Sequence, residues 1–334
     1  MQKLLLTGAS GFVGKNILPI LAQDYEVSTL GRGAENHYSS DLSTEIPNFK
    51  EAFDVVYHAA GKAHSIPRTE EESKVFFDIN LTGTKNLCAA LENVGLPKAF
   101  VFVSTVAVYG CEFGENISEE YPLAGTSPYA KSKIAAEVFL QKWCATNNVV
   151  LTILRPSLIA GADAPGNLGA MVRGMRSGKY LRIGKGVARK SIVMVDDLAR
   201  IVPCVLAVGG IFNICATYAP SFAELEKLIA SQLGKGEPVS IPLWLAKAIA
   251  LVGDCCFGKA PIDSNRLKKI TETLTFSNAK ARERLDWEPL SILENYNICI
   301  PPPILGRIEF ETSWRFPNTI EFSSTFATSG KEAA

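Results

Sequence analysis

Three glycines at equal spacing, Gly8, Gly11 and Gly14 in Gly8-Ala9-Ser10-Gly11-Phe12-Val13-Gly14, constrain this chain more than any other segment. Before them runs an apolar stretch, Lys3-Leu4-Leu5-Leu6-Thr7, and after them an amphipathic one that continues through Ala22. The first predicts a short buried strand and the second a helix. In such a strand–turn–helix unit the first glycine permits the tight turn, the second lets a pyrophosphate approach the backbone, and the third lets the helix pack against the strand. Around Ser10, Phe12 and Val13 the helix start offers N–H donors and the positive end of a dipole to phosphates. The spacing departs from the commoner Gly-x-Gly-x-x-Gly, and a glycine turn with no ligand is the alternative.

The rest of the chain alternates in the same way. Val27-Ser28-Thr29-Leu30, Val55-Val56-Tyr57, Phe100-Val101-Phe102-Val103 and Val150-Leu151-Thr152-Ile153-Leu154 read as short strands, and Glu70 to Val94 and Pro128 to Asn147 as helices. Gly95-Leu96-Pro97 ends the first helix. The alternation predicts an α/β fold with a parallel sheet covered on both faces. Right-handed crossovers make it doubly wound, with the ligand at the carboxyl ends of the strands. After Arg155 the pattern is irregular, with glycines at 161, 166, 169, 174, 178, 184 and 186. The expected division is a dinucleotide-binding domain over 1–155, a smaller substrate-binding lobe over most of 156–300 with some segments returning to the sheet, and an irregular tail over 301–334.

Composition excludes several classes. With 34 basic and 34 acidic residues the formal charge is zero, and no basic block argues for nucleic acid. Nothing before the first strand reads as a secretory signal, so a cytoplasmic chain with reduced thiols is expected. The eight cysteines, at 88, 111, 144, 204, 215, 255, 256 and 299, show no metal-ligand spacing, and His37, His58 and His64 are scattered, so no metal is expected. Cys255-Cys256 reads as core packing. The apolar run Ile241 to Phe257 contains Lys247, Gly253 and Asp254. It is shorter than the roughly 20 residues of a membrane span, which leaves a buried or half-exposed helix or contact with a membrane surface.

Chemistry enters with Ser127-Pro128-Tyr129-Ala130-Lys131-Ser132-Lys133. Pro128 suits a first helical turn, so Tyr129 and Lys133 project from one face. A free phenol has a pKa near 10 and is a poor base at neutral pH, and a neighbouring ammonium favours the phenolate. A hydroxyl from Thr105 or Ser104 would steady that phenolate or polarise a substrate oxygen.

These motifs together resemble the extended short-chain dehydrogenase/reductase family of nucleotide-sugar epimerases, dehydratases and reductases. The resemblance runs from about residue 3 to about residue 290 and implies a Rossmann sheet. Asp41-Leu42 is similar to the family's adenine-contacting element, His58-Ala59-Ala60-Gly61 to its turn after the fourth strand, and Asn80-Leu81-Thr82-Gly83-Thr84 to its central helix motif. Val101 to Gly110 resembles its catalytic strand, with Thr105 in the active Ser/Thr slot. Arg155-Pro156-Ser157 and Val195-Asp196-Asp197-Leu198-Ala199 resemble later landmarks. The resemblance implies catalysis by Thr105, Tyr129 and Lys133, with Ser104, Arg155 and Pro156 near the cofactor. A homodimer is compatible with it. Asp196-Asp197 reads as a cap for the helix beginning at Leu198.

The end of the second strand, Leu30-Gly31-Arg32-Gly33, lacks the acid that would hold a ribose 2′-hydroxyl, and Arg32 is suited to a 2′-phosphate. NADP is therefore placed ahead of NAD. In the family's 4,6-dehydratases an Asp-Glu pair follows the active Ser/Thr. Here Val106 and Ala107 stand there, and neither carries a proton. A 4-epimerase with Tyr129 as base is the first expectation, with Val106 beside the substrate, and a 4-ketoreductase the alternative. Arg182, Arg189 and Lys190 are candidates for the substrate diphosphate, and Lys190 replaces an arginine that relatives often have. The non-enzymatic alternatives are a cofactor-binding regulator or scaffold and an electron-transfer subunit.

Overall fold

The computed structural model describes residues 1–63, 65, 67–254 and 263–298. Among the described residues thirteen strands are formed: β1 (Gln2–Thr7), β2 (Tyr25–Gly31), β3 (Tyr38–Ser39), β4 (Val55–His58), β5 (Ala99–Val103), β6 (Gly114–Ile117), β7 (Val150–Pro156), β8 (Leu158–Ala160), β9 (Arg182–Ile183), β10 (Ile192–Met194), β11 (Gly210–Ile214), β12 (Ser240–Ile241) and β13 (Leu274–Phe276). The helices are α1 (Phe12–Asp24), α2 (Glu70–Phe77), α3 (Gly83–Val94), α4 (Pro128–Asn147), α5 (Gly166–Arg176), α6 (Asp197–Arg200), α7 (Val202–Val205), α8 (Phe222–Gln232), α9 (Leu243–Asp254), α10 (Ser264–Thr271), α11 (Ala279–Leu285) and α12 (Ile292–Asn295).

Seven strands make the main sheet, in the order β11-β7-β5-β4-β1-β2-β3. Every neighbouring pair in it is parallel. Its central strands β4 and β5 are short and buried throughout because both faces are covered. Leu4 and Leu6 of β1 pack on one face with Ile17, Leu21 and Leu198. Leu5 packs on the other with Leu87, Phe100, Ala136 and Leu140. From β1 the chain builds outward through β2 and β3 on one side and through β4, β5 and β7 on the other. The carboxyl ends of β1 and β4 therefore flank the point where strand order reverses, which is where doubly wound sheets hold ligands.

Three small parallel pairs, β8–β10, β9–β12 and β6–β13, lie outside this sheet. Around the first of them Leu168 and Met171 of α5 and Leu225 and Ile229 of α8 form a separate apolar cluster. The helical stretch expected over Glu70 to Val94 is present, with a five-residue π turn, Asp78–Thr82, between α2 and α3. The expected capping by Asp196 and Asp197 is not observed. Asp196 makes no side-chain cap bond. The Asp197 carboxylate is held by Arg200 at 2.5 Å and by the Leu290 N–H at 2.9 Å. Cys255-Cys256, His64 and the tail over 301–334 lie outside the described residues.

Candidate active site

The glycine turn is locked by contact with the loop after β4. Gly8 has φ +76°, and a Cβ on it would lie 2.7 Å from the Ala60 nitrogen. A Cβ on Gly14 would lie 2.2 Å from the Gly8 carbonyl oxygen. Both contacts are far inside van der Waals range, so neither position tolerates a side chain. α1 begins at Gly11 with no side-chain cap bond and no acid in its first turn. Its first N–H groups are thus left for an anionic ligand beside the exposed Ser10 and Gly11. This cradle fits a dinucleotide pyrophosphate.

His58 ties the floor of that cradle together. Thr84 donates its hydroxyl proton to the Asn80 carbonyl at 2.7 Å, so it accepts from His58 Nε2–H at 2.9 Å. His58 Nδ1 is then unprotonated and accepts from the Thr7 hydroxyl at 2.6 Å, and Thr7 accepts from the Ala60 N–H at 3.1 Å. Burial holds this imidazole neutral, with its pKa pushed from 6.5 to about 3 and the Lys133 charge adding to the effect. An imidazole whose folded pKa is depressed contributes stability above pH 6.5 and loses it as pH falls toward 3. Urea midpoints should fall across that window in the natural chain and less steeply in His58→Asn. Equal slopes would remove His58 from the acid sensitivity.

α4 carries the catalytic candidates. Ser127 caps it, accepting from the Ala130 N–H at 3.1 Å, and Pro128 occupies its first turn. The Thr105 hydroxyl is the polar neighbour of the Tyr129 phenol. Thr105, just beyond β5, accepts from the Ala107 N–H at 3.2 Å, which leaves its own proton to face the phenol. Burial raises the Tyr129 pKa and the neighbouring Thr105 hydroxyl lowers it. Lys133 is buried, and its ammonium donates to the Val103 carbonyl at 2.8 Å and lies 4.6 Å over the Phe102 ring. Burial pushes it down to about 8, against the pull of Glu137. The Lys133 ammonium also borders the loop after β4. There Gly61 leaves room, because a Cβ on it would sit 3.1 Å from the lysine Nζ and 2.9 Å from Asn80 Oδ1.

Asn80 sits in the π turn and clamps this loop. Its Oδ1 accepts from the Lys62 N–H at 2.8 Å, and its Nδ2 donates to Ser132 Oγ of α4 at 2.9 Å. π turns concentrate at functional positions because they re-aim a side chain within a continuing helix.

Two expected cofactor contacts are committed elsewhere. The Ser104 hydroxyl donates to Glu137. Arg155 donates to Glu137 through Nε at 3.1 Å and Nη2 at 2.6 Å, and to the Tyr109 hydroxyl through Nη1 at 3.0 Å. Tyr109 in turn donates to Asn213 Oδ1 at 2.7 Å. Arg155 and Glu137 are both buried, so this guanidinium is an internal ion pair that joins α4 to β7. Glu137 was missed in the sequence, although it lies four residues beyond Lys133 and so on the same helical face. Pro156 ends β7, opposite Ile214 of β11.

At the far end of the crevice Arg32 is exposed just after β2. Asp41 Oδ1 accepts from the Ser43 hydroxyl at 2.6 Å and its N–H at 3.0 Å, which holds the carboxyl below the usual range. The Leu42 carbonyl accepts from Asn86 Nδ2 of α3 at 2.8 Å, fixing this loop over the helix.

The three substrate cations separate. Arg182 is paired with Glu226 and, at 3.1 Å, with Glu237, and so turns inward rather than toward a ligand. Arg189 donates to the Ala219 carbonyl at 2.7 Å and stacks on Tyr218. It lines a groove of about 450 Å³ with Ser191, Thr217, Thr273 and Thr275, and none of Thr105, Tyr129 or Lys133 lines that groove. Lys190 is half-buried between Glu272 and Lys269, and burial pushes it down to about 8. Among the described residues no acidic, histidine and cysteine cluster is suited to a metal.

A parallel doubly wound sheet with a glycine cradle at its switch point defines a Rossmann-type NAD(P)-binding protein. The chain belongs to the NAD dependent epimerase/dehydratase family, whose model matches residues 4–215. It is 29% identical over 303 residues to the N-acetyl-alpha-D-glucosaminyl-diphospho-ditrans,octacis-undecaprenol 4-epimerase of Escherichia coli O157:H7, covering 84% of this chain and 88% of the relative. It is 28% identical over 317 residues to a UDP-glucose 4-epimerase of Vibrio cholerae, covering 88% and 92%. The fold is also that of a solved structure of RMD from Pseudomonas aeruginosa complexed with NADPH, with a TM-score of 0.67 at 24% identity over 89% of this chain and 96% of the other.

Proposed function

We propose that the protein is a sugar-diphosphate 4-epimerase acting on a nucleotide sugar, with Tyr129 as the base. The observation that carries this reading is the Tyr129 phenol beside the Thr105 hydroxyl, just past the carboxyl end of β5, on the helix that also carries the buried Lys133. When bound in the glycine cradle, a nicotinamide dinucleotide supplies reversible hydride acceptance. Tyr129 takes the proton of the 4-hydroxyl and later returns it. Thr105 orients that hydroxyl and donates to the phenolate as charge develops. Lys133, whose ammonium is held by the Val103 carbonyl and borders the loop after β4, would help to hold the cofactor and favours the ionised phenol by its positive charge. Lys190 is the remaining cation for the diphosphate. The names of the Escherichia coli and Vibrio cholerae relatives support 4-epimerisation of a sugar diphosphate, carried on undecaprenol in one and on a nucleoside in the other.

The family's description names dehydratases as well. Water elimination needs an acid and a base after the active hydroxyl residue, and Val106 and Ala107 form an apolar 3₁₀ turn there. Incubation with UDP-glucose, UDP-N-acetylglucosamine and dTDP-glucose, each with either cofactor, should therefore give a product of unchanged mass. A product lighter by one water at catalytic rate would overturn the assignment.

One observation favours a second reading, a 4-ketoreductase using NADPH. Arg32 is exposed where a dinucleotide fold usually has an acid, which suits a 2′-phosphate. Arg32→Glu should weaken NADP binding by about tenfold or more and leave NAD binding unchanged or improved, as calorimetry with both would show. Equal weakening of the two would mean that Arg32 serves the loop and not the phosphate.

A further inference from the structure

α9 exposes the wrong face for a helix of a soluble protein. Its buried positions, Ala246, Ala250 and Gly253, are small and follow one helical stripe. They pack beside Ile183, Ile241 and Leu267. On the outer side Trp244 is 71%, Leu251 65% and Val252 68% exposed. Lys247 and Asp254 are the helix's only charged residues. Large apolar side chains thus face out and small ones face in, the inverse of an ordinary amphipathic helix. The surface continues onto the neighbouring strand pair. Val239 is 71% exposed and lies beside the exposed Leu181, because the Arg182 N–H donates to the Val239 carbonyl at 2.9 Å. Single exposed apolar residues are ordinary, whereas a contiguous set marks an interaction surface.

Charge identifies the occupant. Lys247 of α9 and Lys269 of α10 are exposed, in a chain that is neutral as a whole. α10 packs directly on α9, and its other two cations are paired, Arg266 with Asp263 at 3.4 Å and Lys268 with Glu112 at 3.2 Å. The exposed Lys185 follows Gly184, whose Cβ position lies 4.0 Å from Leu243. A second copy of the same face would set these cations against each other, since a two-fold contact repeats one patch on both sides. An apolar helix face with tryptophan and adjacent lysines suits the interface of an anionic bilayer. At 12 residues α9 is roughly 18 Å long and cannot cross the ~30 Å hydrocarbon core, so it would lie in the membrane plane.

We propose that the outer face of α9, with the exposed Lys185, Lys247 and Lys269 around it, seats this protein on an anionic lipid surface. This goes beyond the reaction assigned above and stands independently of it. The test uses the full chain with vesicles of phosphatidylcholine, with and without phosphatidylglycerol. The protein should co-sediment with the anionic vesicles, less so at high salt, with a blue shift in tryptophan emission that Trp244→Phe removes. Trp244→Glu combined with Val252→Glu should lower partitioning by about tenfold or more, with unfolding temperature and turnover of a water-soluble substrate unchanged. Failure of the natural chain to bind either vesicle overturns the proposal, as does equal partitioning of the double variant. Light scattering that finds a dimer split by the same variant would assign the face to a second copy. Equal binding to neutral vesicles would remove the role given to the cations.

Discussion

Tyr129→Phe should lower turnover by about 10²-fold or more, a loss of roughly 2.7 kcal/mol of transition-state stabilisation, while cofactor binding and unfolding are unchanged. The ring contact with Phe76, at 6.3 Å between centroids, does not need the hydroxyl. The hydroxyl is the phenol's whole connection to Thr105, so the substitution removes proton transfer and little else. The pH dependence separates this from a packing defect. The natural enzyme should gain activity with pH as the phenol ionises, and the variant's residual rate should lack that limb. Near-normal turnover in the purified variant would reject Tyr129 as the proton carrier.

Glu137→Ala should destabilise the fold by about 3–5 kcal/mol, because Arg155 would be left charged and buried without its carboxylate. Ser104 would lose its acceptor at the same time. Replacing both partners, Glu137→Leu with Arg155→Met, should restore most of that loss, since no unpaired charge remains. Urea unfolding of the single and double variants measures both. A single-variant cost below about 1 kcal/mol would mean that water reaches the guanidinium and the pair is not sealed. The double variant should still turn over poorly. Glu137 also supports the charge on Lys133, and an apolar residue cannot.

What could be read in the sequence was what depends on neighbours along the chain. The strand–turn–helix at the N-terminus and the limits of α4 followed from periodicity and from Pro128 at one end, whereas the Ser127 cap and the left-handed Asn148 that close the helix are seen only in the fold. Edge strands were less legible. β3 has two residues, and β11, starting at Gly210 beside Gly209, offers only Ile211, Phe212 and Ile214 as an apolar signal. The direction of polar side chains was not legible at all. The family resemblance set Arg155 near the cofactor, and Arg182 looked like a cation for the substrate diphosphate. Their carboxylates, Glu137 and Glu226, lie 18 and 44 residues away, and only folding brings them together. The position of Lys133 was hidden for the same reason, since its present acceptor is a main-chain oxygen of another strand.

The π turn at Asp78–Thr82 limits how this helix can change in length. It holds one residue more than a regular turn would, and that surplus aims Asn80 at both Lys62 and Ser132. Deleting any one residue between the start of α2 and the turn, or absorbing the surplus into a regular repeat, rotates the remainder of the helix by about 100° about its axis. Asn80 would then leave the loop after β4 and α4 together. Substitutions on the outer face of α2 leave the clamp alone, so the segment is free to drift in composition but not in residue count. Among relatives sharing this clamp, insertions and deletions should collect before Thr69 or after Gly95, and the 25 helical residues from Glu70 to Val94 should keep their number.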